Sequence, residues 1–462
     1  MLSFFDGRGH ALPRREFLRV GSLGFGGLSL GGMLGTRAAA EASAVRDKSV
    51  VFLFLHGGPT QVETFDPKLT APLGIRSVTG ELATKIPGVT FGGTFPKLAA
   101  MSDRLSVVRS FTTGSGSHDI KPIVCKDTLE ANIGSIYSSI VGANHPLTGM
   151  PRNTALFPKA VEESSQPANM RFGRFLSSGG FGAAYAPFVP GAGGEMQKDM
   201  KLAIPMDRLD DRRVLLSTLD RARAEFETNA SAAGLDSLRE QAFNTILGGI
   251  SEAFDLSKED AKTLARYDTA PLVRPENISR RWNNYNNYVD NAKTLGKLLL
   301  LSRRLCERGC GFVTVTTNFV WDMHADRNNA TISEGMDYMG SPLDWAVSAF
   351  IEDVHRRGLS DKILLVCCGE MGRTPKVNKN GGRDHWGNLA PLLLAGGGLQ
   401  MGQVVGQSTK NIGEPATQPM TIRHLVSTIM HTLFDVGELR VVRGVPRNVL
   451  QLAEHAPIPG LL

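Results

Sequence analysis

The residues from Val50 to Leu55, Val-Val-Phe-Leu-Phe-Leu, include no polar side chain. Ile363-Leu364-Leu365-Val366-Cys367-Cys368 is equally unbroken, and Phe312-Val313-Thr314-Val315 nearly so. A strand with one wet face alternates apolar and polar residues; a strand without alternation needs cover on both faces. Helical patterns precede two of these runs, at 284–308 and 344–357. Strand and helix in this order predict an α/β fold, with a mostly parallel central sheet flanked by helices. Further strands are expected at 105–110, 154–158 and 389–394, and further helices at 96–101 and 421–434. Another helix is expected after His118-Asp119, holding Ile123 and Cys125. Residues 207–233 and 235–254 are charged and amphipathic, so a helical insertion is expected over about 207–300.

Residues 1–44 read as a separate segment. Arg14-Arg15-Glu16-Phe17-Leu18 carries a twin-arginine pair, and a glycine-rich apolar run follows from Val20 to Leu34. Ala38 to Ala44 then offers small-residue cleavage sites. This is the layout of an export signal of the twin-arginine type. It leaves one domain over 45–462 and makes the twin-arginine translocase an expected partner. The expected destination is the periplasm or the exterior, with an uncleaved signal as an alternative membrane anchor. A net charge of +6 over 462 residues, with no basic stripe, gives no reason to expect nucleic acid. Five cysteines at irregular spacing make a poor disulfide framework, with one weak bridge conceivable between Cys306 and Cys310.

Chemistry-bearing residues collect just beyond the apolar runs, where α/β sheets present ligands. Asp322 and His324 follow the strand at 312–315, offering carboxylate oxygen and imidazole nitrogen to one point. Such mixed donors suit zinc, manganese or iron better than calcium. Glu370 follows the strand at 363–368, and Arg373 lies within reach to grip a phosphate or sulfate. The alternative is a Glu370–Arg373 ion pair that closes the turn. Asp384-His385 lies on a glycine-rich loop, either as two ligands or as a ligand and its orienting acid. His118 sits in a Ser/Thr-rich loop whose Thr113 and Ser117 are candidate nucleophiles. Their commoner use is an ordinary polar turn. Glu63 is a further candidate metal ligand, and His56 keeps some weight because it ends the first strand.

Several stretches resemble the family of bacterial proteins known as domain of unknown function 1501. They are Arg14–Leu18, His56-Gly57-Gly58-Pro59-Thr60, Thr64-Phe65-Asp66-Pro67-Lys68, Trp321-Asp322-Met323-His324, Gly369-Glu370-Met371-Gly372-Arg373-Thr374-Pro375 and Gly382-Arg383-Asp384-His385-Trp386. The resemblance implies an alkaline-phosphatase-like or sulfatase-like fold with a divalent-metal site at the strand ends. It implies that Asp322 and His324 share one metal, that Glu370 is an acid from a later strand, and that Asp384 and His385 are the last ligands. His118 is carried over as a site residue. Two departures stand out. No cysteine is followed by the C-x-P-x-R pattern of sulfatases, and His56-Gly57-Gly58 stands where the superfamily places an Asp. The expected activity is hydrolysis of a phosphate or sulfate ester, on a small molecule or a polysaccharide. One or two divalent ions (zinc, manganese or calcium) would serve as cofactor, with Arg373 or Arg383 neutralising the transferred group. The alternative is a secreted scaffold or binding protein of the same fold without catalysis.

Overall fold

The structure, a computed structural model, describes residues 44–191 and 251–462. The segment expected to be an export signal, up to residue 43, and the charged stretch from 207 to 250 lie outside the described residues. Among the described residues, no helix is long and apolar enough to cross a membrane.

A seven-stranded sheet organises the chain. Its strands are β1 (Ser49–Phe54), β2 (Ser106–Val108), β3 (Asn153–Leu156), β4 (Phe312–Val315), β5 (Ile363–Cys368), β6 (Leu392–Gly396) and β7 (Val404–Val405), in the spatial order β7-β2-β6-β5-β1-β4-β3. The unbroken apolar runs form the centre. Val50 of β1 lies level with Phe312 of β4 and with Leu364 of β5, all parallel. β6 alone runs against its neighbours β5 and β2. The sheet is therefore mostly parallel.

Pleating divides the central strands between two cores. Val51, Leu53, Val313, Val315, Leu365 and Cys367 face one side. They meet α3 (Tyr285–Glu307) and α4 (Ile332–Arg356) through Leu298, Leu301, Val347 and Phe350. Val50, Phe52, Phe54, Phe312, Leu364 and Val366 face the other side. There they meet α2 (Ile133–Val141) and α5 (Ile422–Leu433) through Ile133, Ile136, Leu425 and Ile429. The helix α3, grouped by sequence with the insertion, is thus a flanking helix of the sheet.

Several local expectations are corrected. The segment around Ile123 and Cys125 forms turns, and the first helix there is α2, capped by Asn132 onto the Gly134 amide. α4 begins at Ile332, well before the expected start, and carries Pro342 in its interior. Burial of Met336, Tyr338 and Met339 against the core holds the helix together across a residue that removes one of its hydrogen bonds. All five cysteines are free and buried, so no bridge joins Cys306 to Cys310.

Asp344 of α4 shows how the helices are tied together. Its carboxylate accepts from the amides of Lys97 (3.0 Å) and Leu98 (2.8 Å), in the first turn of α1 (Pro96–Ala100). Burial pushes its pKa up to about 6, outweighing those two bonds and the charge of Lys97. The folded state therefore holds this proton more tightly than the unfolded state. The resulting stability is complete below the unfolded carboxyl value and is lost as pH rises towards about 6. Asp344→Asn removes the titration. Relative to wild type it should gain about 2 kcal/mol between about pH 4 and about pH 7. Urea unfolding at both pH values measures this, and an unchanged difference between the two proteins contradicts it.

Candidate metal centre

The carboxyl ends of β1, β2, β4 and β5 share one edge of the sheet, and each feeds a loop into the same place. β1 ends in His56-Gly57-Gly58. A Cβ on Gly57 would lie 2.6 Å from the Asp322 amide nitrogen, and its φ is +115°. Only glycine admits that approach. The Val320 and Trp321 amides donate to the His56 carbonyl at 3.1 and 3.0 Å, which seats the Asp322 loop. The Gly57 amide donates to both Glu370 oxygens, at 2.9 and 3.1 Å. His118 comes from the long loop after β2. His385 reaches the edge by another route. β6 is antiparallel, with Leu392 opposite Cys368, so residues preceding β6 emerge beside the carboxyl end of β5.

Asp322 is the hub and is almost fully buried. Its Oδ1 lies 3.3 Å from His118 Nε2, 3.2 Å from His385 Nε2 and 2.6 Å from Arg373 Nη2. Its Oδ2 lies 3.0 Å from His324 Nε2, and the Asn329 side-chain amide donates to it at 3.0 Å. His118 Nδ1 lies 3.0 Å from Glu370 Oε1. The structure thus brings His118, Asp322, His324, Glu370 and His385 into one connected cluster. Ligand atoms of His118, Asp322 and His385 all lie within 4.8 Å of one another, close enough to share a cation.

The charges are strongly coupled. Burial alone would raise the Asp322 carboxyl, but hydrogen bonds with His118, His324 and His385, with the Arg373 charge, hold it well below the usual carboxylate range. Burial works to lower His118, yet its bonds to Asp322 and Glu370 prevail and push it up to about 9. Burial raises Glu370 against the pull of His118. His56 goes the other way: burial, then the charge of His118, pushes it down to about 3, with Asp322 opposing. Its ring is boxed by Phe54, Phe172, Phe175 and Phe319, and neither ring nitrogen has a hydrogen-bond partner among the described residues.

Other expected residues lie elsewhere or face other work. Glu63 is fully buried away from the imidazoles. It accepts from Ser77 Oγ (2.6 Å), the Thr79 amide (3.2 Å) and Arg383 Nη2 (2.9 Å), so its charge is already answered. Arg383 donates further to the carbonyls of Ile75, Arg76 and Pro375 and cannot meet a substrate from there. Asp384 turns outward to the Asn378 amide at 2.9 Å, while its neighbour His385 turns inward. Arg373 does touch the cluster, but as a fully buried partner of Asp322 and of the Gly57 and Gly58 carbonyls. It organises the site from behind and has no exposed surface for an ester. The Thr113 hydroxyl donates weakly to the Ser115 carbonyl at 3.5 Å, whereas Ser117 is exposed beside His118. Asn329 and the Gly57 amide went unnoticed in the sequence. Asn329 carries no signal beyond its closeness to Asp322, and the Gly-Gly pair after β1 was the available hint for Gly57.

A family model described as "Protein of unknown function (DUF1501)" matches residues 47–441. No curated protein matches the chain by sequence. Among solved structures, the lipoteichoic acid synthase LtaP from Listeria monocytogenes is similar at 9% identity and a TM-score of 0.29, over 84% of this chain and 73% of that one. The PsFucS1 sulfatase from Pseudoalteromonas sp. is similar at 12% identity and a TM-score of 0.32, over 87% and 70%. The phosphonate monoester hydrolase of Agrobacterium radiobacter follows at 10% and 0.27, over 79% and 71%. Likenesses this remote leave the chemistry to be read from the site itself.

Proposed function

We infer the reaction of this chain, which belongs to the DUF1501 family of proteins of unknown function, from the groups its site assembles: it is a metal-dependent hydrolase of phosphate or sulfate esters. The observation that carries this reading is the meeting of His118, Asp322 and His385 from three separate loops at one sheet edge. Two imidazoles and a carboxylate suit zinc or manganese, whereas calcium takes mainly oxygen ligands. A bound divalent ion supplies Lewis acidity and offsets charge on the group being transferred.

The protein's own groups do the rest. His118 would hold the ion through Nε2, while Nδ1–H would donate to the Glu370 carboxylate, which so fixes the tautomer and the ring. The two Gly57 bonds hold Glu370 in turn. Arg373 neutralises Asp322 from the buried side, keeping it ionised and oriented. His324, about a quarter exposed on its side chain, is placed to pass a proton to or from a reacting oxygen.

Metal analysis of the purified protein, with a panel of chromogenic phosphate and sulfate esters, tests the reading. About one or two divalent ions per chain are expected, with chelator-sensitive hydrolysis of at least one ester class. A chain that holds well under one ion even after incubation with zinc and manganese would instead favour the scaffold.

A further inference from the structure

One side of the cluster is built from a segment that the reaction described above does not use, Arg171-Phe172-Gly173-Arg174-Phe175. Phe175 is fully buried against Phe54 and Phe157 and anchors it. A Cβ on Gly173 would lie 2.5 Å from Ile120, so glycine lets the segment press onto the loop that carries His118. Upstream it is pinned from both directions by Asn318, whose side chain accepts from the Asn169 amide (3.1 Å) and donates to the Pro167 carbonyl (3.3 Å). The Phe172 ring is consequently preset. One face stacks on Phe319, with centroids 4.5 Å apart and planes 27° apart, and the ring centre lies 5.1 Å from that of His118. Phe172 remains half-buried, so part of an aromatic surface stays open beside the metal ligands. Arg171 and Arg174 flank it, both exposed, and neither side chain makes an ion pair with a described residue.

We propose that this segment is the wall that selects the organic part of the ester, with Phe172 stacking on a sugar ring while Arg171 and Arg174 meet further anionic groups on the same saccharide. The proposal rests on the hydrolase reading and names its substrate class. An aromatic face buries the C–H face of a sugar without a directional bond. Two cations beside that ring call for several anions around one ring, which an anionic saccharide carries and a simple alkyl or aryl monoester does not.

Calorimetric titration with a dextran sulfate oligosaccharide, its unsulfated counterpart and inorganic sulfate tests this, with bound metal counted in every variant. Phe172→Ala should weaken the sulfated oligosaccharide by about tenfold, with inorganic sulfate and metal content unchanged. Phe172→Trp should restore binding, which a merely damaged fold would not. R171E/R174E should weaken the same ligand and flatten its salt dependence. Equal affinity in wild type and Phe172→Ala overturns the proposal, as does an equal loss for inorganic sulfate. A metal-free wild type that still needs Phe172 to bind the oligosaccharide would overturn the hydrolase reading and leave the wall standing.

Discussion

Asp322→Asn is expected to leave a folded protein that has lost its divalent ion and its esterase activity, with kcat/KM down by about a thousandfold or more. The size of the effect follows from the position of the carboxylate. One oxygen faces His118, His385 and Arg373, and the other faces His324 and Asn329. An amide keeps the shape but removes the charge that draws a cation between the imidazoles. It also takes from the buried Arg373 guanidinium the carboxylate it is paired with, which adds a cost. Asn is therefore a cleaner probe than Ala, and circular dichroism checks that the fold survives. Metal stoichiometry decides the matter, since a variant that keeps its full ion content shows that the carboxylate is not a ligand.

The second large effect concerns Glu63. Its five acceptor contacts, from Ser77 Oγ, the amides of Val78 and Thr79, Thr79 Oγ1 and Arg383 Nη2, lie in a region with no exposed side-chain surface for either ion. Glu63→Ala leaves the Arg383 charge buried without a counter-ion, which costs about 3–5 kcal/mol. The double variant E63L/R383M, which removes both charges, should recover much of that loss. Chemical denaturation of both measures the difference. Metal content per folded chain should be unchanged, because the carboxylate faces away from the imidazoles. A Glu63→Ala protein as stable as wild type yet stripped of metal would show that Glu63 serves the ion.

These two residues mark how far the site could be read from the chain. Asp322, His324, Glu370 and His118 were visible because each follows an apolar strand, and strand ends gather; His385 was visible only as an imidazole on a glycine-rich loop. Glu63, Arg383 and Asp384 were grouped with them on proximity to the same motifs, and proximity along a chain does not say which charge meets which. Glu63 and Arg383 answer each other across 320 positions. Asp384 and His385 are neighbours in sequence, yet Asp384 turns out to the Asn378 side-chain amide while only His385 faces Asp322, a divergence that adjacency along the chain does not foretell. The aromatic pair Phe172–Phe319 had no periodic signal, since both sit in irregular loops.

The amino-acid order alone determined that β1, β4 and β5 are central strands, because a strand without polar alternation has to be covered on both faces. It also marked His118, Asp322, His324 and Glu370 as candidates at the strand ends, without separating them from Glu63 and Asp384. Only the tertiary structure decided the direction of β6, which carries His385 to the same edge as the loops of the parallel strands. It also decided the pairing of buried charges. Strand direction and ion pairing depend on which distant segments become neighbours, and desolvation makes that choice only once the core has closed around them.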